Sequence, residues 1–123
     1  MNPSELKYTE THEWVRIDGN KGTVGITHHA QEQMGDIVFV DLPEQGKALD
    51  KGGLLASIES VKSVSDVYAP VFGKVVEANE KLLDNPETIN LDPYGEGWIA
   101  VIELTDTDSL SQLLTAEEYE SKI

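Results

Sequence analysis

The chain has 123 residues, 39% apolar and 26% charged, which is enough for one packed core and too short for two ordinary ones. Nine basic against 23 acidic side chains leave a net charge of −14. Such a surface repels phosphate backbones and anionic lipid, so neither nucleic acid nor a membrane is an expected partner.

The absence of cysteine removes disulfides, thiolate metal sites and cysteine nucleophiles, and suits a reducing compartment. No apolar run approaches the roughly 18 residues of a membrane span. Met1-Asn2-Pro3-Ser4-Glu5 has neither the basic start nor the apolar run of a signal peptide. The expected location is cytoplasmic, or the mitochondrial matrix for a processed eukaryotic form. Residues 77–123 hold 12 acids against Lys81 and Lys122, so this C-terminal part should favour docking to basic rims.

Taken in order, the chain reads as short strands between turns. Glu13-Trp14-Val15-Arg16-Ile17 alternates apolar and polar residues and meets the turn Asp18-Gly19-Asn20. Gly22 to Ile26 resumes as a strand. Thr27 to Met34 reads as a helix with Thr27 as N-cap and Gly35 just past its end. Asp36 to Val40 is β-branched and aromatic, and Pro43 stops it. Leu54 to Glu59, Val64 to Tyr68, Val71 to Glu77 and Trp98 to Leu104 complete the strands. Ser109 with Gln112, and Thr115 with Glu118, match capping boxes, so one or two short C-terminal helices are expected. Leu110, Leu113 and Leu114 would be their buried stripe. This spacing suggests an antiparallel barrel or sandwich. Gly53 to Glu59 echoes Gly97 to Glu103, which fits two similar sheets facing each other.

The informative segment is Ile58-Glu59-Ser60-Val61-Lys62-Ser63-Val64-Ser65-Asp66-Val67-Tyr68-Ala69-Pro70. If Ser60 opposes Ser63, the hairpin tip is Val61-Lys62. One face would then carry Leu54, Ala56, Ile58, Val67 and Ala69. The other would carry Leu55, Glu59, Val64, Asp66 and Tyr68. Val61 resists positive φ, so a type I turn with altered register is expected. Most turn lysines do nothing beyond staying solvated. This one, projecting clear of a patterned hairpin, is open to a modifying enzyme.

Glu59-Ser60-Val61-Lys62, with Ser65-Asp66-Val67-Tyr68-Ala69-Pro70 and Gly73, resembles the lipoylation segment of the glycine cleavage H proteins. The resemblance covers nearly the whole chain: Thr11-His12-Glu13-Trp14-Val15, Val24-Gly25-Ile26-Thr27, His29-Ala30-Gln31, Gly35-Asp36, Val38 to Pro43 and Asn90 to Trp98 follow in order. Ser63, Phe72 and the acidic strand 100–103 depart from the usual pattern.

The resemblance implies a mainly β fold. This would be a barrel-sandwich hybrid: a flattened antiparallel sandwich of the lipoyl/biotinyl hammerhead type, with short helices including a C-terminal one. Residues 1–123 would form a single lipoyl-binding domain. Lipoate would be linked by an amide to Lys62, an arm reaching roughly 15 Å. The implied role is a non-catalytic carrier. It would take an aminomethyl group from a pyridoxal-phosphate glycine decarboxylase to a tetrahydrofolate-dependent aminomethyltransferase, and then electrons to dihydrolipoyl dehydrogenase. A lipoate ligase or a lipoyl/octanoyl transferase would attach the cofactor. By position, Thr11, Glu13 and Asp66 match residues lining a cleft for the loaded arm, with the Glu13 carboxylate pairing to the cargo amine. A monomer suits such a shuttle.

The alternatives belong to other classes. An H-like protein relaying lipoyl groups to other lipoate-dependent complexes shares every motif. A biotin carrier normally has methionine on both sides of its lysine, whereas Val61 and Ser63 stand here. A lipoyl domain of a 2-oxoacid dehydrogenase is shorter. A metal site of His12, His28 and His29 lacks helical spacing, and no site is expected. A hydrolase built on Ser60 or Ser63 has no Gly-x-Ser-x-Gly frame.

Overall fold

Alternation along residues 13–18 and 21–26 makes β2 (Glu13–Asp18) and β3 (Lys21–Ile26), joined through Gly19-Asn20 with Asp18 opposite Lys21. The computed structural model describes residues 3–106 and 108–123. A two-residue strand β1 (Lys7–Tyr8) precedes this hairpin. Helix α1 (His28–Met34) follows it, with Thr27 Oγ1 accepting from Ala30 N–H and Gly35 ending the helix, as its cap residues predict. Next come β4 (Ile37–Asp41), β5 (Ala48–Leu49), β6 (Leu54–Ser60), β7 (Val64–Tyr68) and β8 (Gly73–Ala78). Two single-turn helices, α2 (Lys81–Asp84) and α3 (Thr88–Leu91), lead to β9 (Ala100–Leu104). A 3₁₀ turn over Asp108–Gln112 and helix α4 (Ala116–Glu120) close the chain.

The fold is mainly β, as expected, and built of two antiparallel sheets. The larger has the order β1-β2-β3-β9-β8-β5 and the smaller β4-β6-β7. They are open sheets over a shared core and do not close into a barrel. Val15, Val24, Val75 and Ile102 of one sheet meet Val40, Ala56, Ile58 and Val67 of the other in one buried cluster. The echo at residues 53 and 97 follows from this. Leu55, Ala56 and Ile58 on β6 are buried, and so are their counterparts Ile99, Ala100 and Ile102 at β9. Each strand is flanked on both sides within its sheet and presents the same residues inward.

One face assignment is corrected. Leu54 was expected inside and Leu55 outside, but Leu54 is 50% exposed and Leu55 1%. The β6–β7 register shifts between Leu54 and Ala56, and this bulge inverts the alternation at that end of the hairpin.

The first half of β2, Glu13 to Val15, is buried on both faces. Val15 faces the main core, while Trp14 joins Leu6, Tyr8, Ala116 and Tyr119 in a second cluster on the outer side of the large sheet. Tyr8 lies opposite Trp14 in the β1–β2 pair and stacks on Tyr119 at 5.0 Å, so the C-terminal helix is docked by aromatic contact. Thr115 and Glu118 form the expected capping box of α4. The segment before it is 3₁₀ rather than α, and the cap expected at Ser109 lies outside the described side chains. Leu113 is buried in the main core and Leu110 packs against it; Leu114 packs on the second cluster.

Trp14 lies across Gly25, its partner in the β2–β3 register. A Cβ there would fall 2.6 Å from the indole. Gly25→Ala should therefore lower unfolding stability by about 2 kcal/mol, read as a fall in urea midpoint at unchanged slope.

Candidate functional site

The β6–β7 hairpin ends as its serines dictate. Ser60 N–H donates to the Ser63 carbonyl at 2.8 Å, and Ser60 Oγ accepts from Ser63 N–H at 3.1 Å. Val61 and Lys62 form the tip, and neither has positive φ, so the turn belongs to neither primed type. The expected register change is absent at the tip: Glu59 stays opposite Val64. Lys62 is exposed, and among the described residues it forms no ion pair. Its stem does not project clear of the protein. Lys62 Cε lies 3.4 Å from where a Cβ on Gly35 would stand, so Gly35 leaves the space that the stem crosses.

This platform is built from a distance. Val61 N–H donates to the Asp36 carbonyl at 3.1 Å, fastening the tip to the start of β4. Asn90, on α3, donates through Nδ2 to Gln31 Oε1 and to the Gly35 carbonyl, both at 2.9 Å. Its Oδ1 accepts from Ile37 N–H at 2.9 Å. One side chain thus joins α1, its end and β4 beneath the lysine. Asn90→Ala should cost about 2 kcal/mol in urea unfolding and speed hydrogen exchange at Ile37. An unchanged exchange rate would contradict this role.

The three residues expected at the cleft come together. Thr11, Glu13 and Asp66 line one cavity of about 330 Å³ with Ile26, His29, Met34 and Ile58. Its walls are the start of β2, helix α1 and the edge strand β7. Met34 lines it, and the next residue is the Gly35 that Lys62 crosses. The lysine stem therefore lies beside the α1 end of the cavity.

Glu13 is 1% exposed. Burial pushes its carboxyl above the usual carboxylate range, opposed by hydrogen bonds from Thr11, Thr9 and backbone N–H groups. Thr9 and Thr11 hydroxyls both donate to Oε1, and Tyr68 N–H donates to Oε2 at 3.1 Å. Three donors leave about one of the roughly four acceptor positions of a carboxylate open. The Tyr68 bond follows from strand alternation. Ser63 and Ala69 pair inward toward β6 and Gly53, so Val64, Asp66 and Tyr68 turn their main-chain groups outward from the edge.

Sequence reasoning missed part of this wall. His12 and His29 line the cavity, with rings 4.7 Å apart, although residues 12 and 29 lie on different elements. Burial, and then the neighbouring His29, hold His12 below the ordinary imidazole range. Its Nδ1 is hydrogen-bonded to the Tyr119 hydroxyl at 2.6 Å. The Thr-His-Glu run was a visible signal for His12; nothing local pointed to Tyr119. Among the described residues, no group of three His, Cys, Asp or Glu side chains is placed to hold a metal. The Gly95-Glu96-Gly97 stretch is a turn built on Asp92, whose carbonyl accepts from Gly95 and Gly97.

The glycine cleavage H-protein family matches residues 6–123 of this chain. The glycine cleavage system H protein of Coprothermobacter proteolyticus is 61% identical over 119 residues, 96% of this chain and 94% of that protein. That of Thermotoga maritima is 58% identical, covering 93% and 92%. The crystal structure of a glycine cleavage system H protein from Mycobacterium marinum superposes with a TM-score of 0.90 at 42% identity, covering 98% of each chain.

Proposed function

The chain belongs to the glycine cleavage H-protein family of lipoyl carriers, and we propose that Lys62 is its lipoyl attachment point. The observation that carries this reading is an exposed amine, without an ion pair among the described residues, at a fastened hairpin tip beside a cavity of ligand size. The residues fit the group. Ile26, Ala30, Met34 and Ile58 offer an apolar wall to an aliphatic tether, and Glu13 offers a carboxylate at a polar end. Lipoyl supplies a redox-active disulfide on that tether, able to take up a one-carbon amine and two electrons.

In this reading residues 1–123 act as one lipoyl-binding domain and catalyse nothing themselves. The chain carries the aminomethyl group from the pyridoxal-phosphate glycine decarboxylase to the tetrahydrofolate-dependent aminomethyltransferase. It then delivers electrons to dihydrolipoyl dehydrogenase. Glu13 accepts a hydrogen bond from the cargo amine, Thr11 orients Glu13, and Asp66 borders the cleft. Exclusion of water there protects the cargo. Exposed Val61 and Val64 beside Lys62 give each partner an apolar contact at the tip. A cytoplasmic location accompanies this reading, supported by the bacterial sources of the relatives.

The test is glycine-dependent CO₂ release with purified glycine decarboxylase. The lipoylated chain should support turnover and the unlipoylated chain should not. Lipoylation without turnover would favour a lipoyl relay instead.

A further inference from the structure

Three residues far apart in sequence close a ring of hydrogen bonds behind the cleft. The His12 carbonyl accepts from Thr27 N–H at 3.0 Å. Thr27 Oγ1 is hydrogen-bonded to the Tyr119 hydroxyl at 2.7 Å, and that hydroxyl to His12 Nδ1 at 2.6 Å. Thr27 and Tyr119 are fully buried. Tyr119 is held independently of the cavity, by the capping box of α4 and by its stack on Tyr8.

His12 needs such a hold. Its φ is 72°, the one positive value at a non-glycine among the described residues. A side chain with Cβ disfavours that conformation unless surrounding bonds enforce it. The conformation has a consequence next door. His12 N–H donates to the Thr9 carbonyl at 3.2 Å, Thr9 N–H to the Glu13 carbonyl at 3.0 Å, and Glu13 N–H to Thr9 Oγ1 at 3.1 Å. The tight turn so formed is what carries the Thr9 and Thr11 hydroxyls to Glu13 Oε1.

We propose that Tyr119 is a positioning residue for the cleft: its hydroxyl straps His12 into the left-handed turn that presents two hydroxyl donors to Glu13. The C-terminal helix is then part of the cleft's machinery, not only a cover for the sheet. The consequence for cargo rests on the reading of Glu13 as acceptor for the cargo amine; the strap itself does not.

Tyr119→Phe keeps the ring and its stack and removes the hydroxyl's bonds to His12 and Thr27. The first readout is the titration of Glu13 by carbon NMR in the unlipoylated chain. Losing held donors should move its carboxyl further up. Tyr8→Phe, which removes a neighbouring hydroxyl bonded to Pro3, should leave it in place. His12→Gly supplies the rescue, because glycine adopts positive φ freely. In that background, adding Tyr119→Phe should have no further effect. The second readout is ammonia release from the aminomethyl-loaded protein, expected to be about threefold faster in Tyr119→Phe.

An unchanged Glu13 titration in a folded Tyr119→Phe protein overturns the proposal. So does an equal shift in the His12→Gly background. Should Tyr119→Phe fail to fold, His12→Ala breaks the His12–Tyr119 bond from the other end and leaves the Thr27 bond in place. His12→Ala should shift Glu13 and His12→Gly should not; equal behaviour of the two overturns the strap. If the titration shifts as expected but neither Tyr119→Phe nor Glu13→Gln alters ammonia release, the strap stands and the role of Glu13 toward cargo fails.

Discussion

Coexpressed with an active lipoate ligase and lipoate, the chain is expected to gain one lipoyl group by intact mass, and Lys62→Ala none. Lys62→Arg should also gain none, since a guanidinium is not an acylation nucleophile at neutral pH. The expectation is all-or-none because the other lysines sit differently. Lys47 Nζ donates to the Leu54 carbonyl, Lys51 Nζ to Gln112 Oε1, Lys122 pairs with Glu10, and Lys7, Lys21, Lys74 and Lys81 lie within β1, β3, β8 and α2. Among the described residues, only Lys62 stands at the tip of a hairpin whose serines fix its geometry. Ser60→Ala removes the acceptor of Ser63 N–H and should slow attachment without abolishing it. A lipoyl gain that persists in Lys62→Ala would refute the assignment. No gain in either protein, with the ligase active on another acceptor, would mean that the hairpin is not its substrate.

Most of the strands were legible because burial on one face forces alternation, and alternation survives in the sequence. What escaped did so for identifiable reasons. β1 and β5 have two residues each, too few for any period to register. α2 and α3 are single turns held by burial of Leu82 and Ile89 rather than by propensity. The bulge falls on Leu55, itself neither glycine nor proline, so the inverted face carries no mark at that position. Two adjacent leucines are silent about which one turns inward. The choice was made by the Leu54–Tyr68 and Ala56–Val67 pairs across the hairpin.

The site divides along the same line. Lys62, Thr11, Glu13 and Asp66 stood out because local motifs surround them. Asn90, Thr27 and Tyr119 act across separations of 53 residues or more: Asn90 to Ile37, and Thr27 to Tyr119. Each of these residues has an adequate local explanation as a polar position on a single-turn helix, a helix cap or an apolar helix position. Their second role exists only after two sheets and a helix have packed. Local sequence therefore exposes the groups proposed to meet the cofactor better than the groups that hold them in place.

Loaded with the aminomethyl group, Glu13→Gln should lose it on the order of tenfold faster or more, because a hydrogen bond to a charged acceptor is replaced by one to a neutral amide. Gln keeps the size of the side chain, so the effect reports charge rather than a hole. The pH dependence gives the claim its sign. Burial raises the folded-state value of the Glu13 carboxyl above its unfolded one. Ionising it therefore opposes folding. The stability of the unloaded protein, relative to Glu13→Gln, should be highest below the ordinary glutamate range and fall as pH rises through the raised value. Cargo retention needs the ionised form and should run the other way, falling as pH drops through that same value. The two profiles should cross-report one titration: stability measured by urea unfolding of the unloaded chain, retention by ammonia release from the loaded one. A retention profile flat across that range, or equal in Glu13→Gln, would leave this buried carboxylate as a structural acceptor for Thr9, Thr11 and Tyr68. In that case protection of the cargo would come from the apolar wall alone.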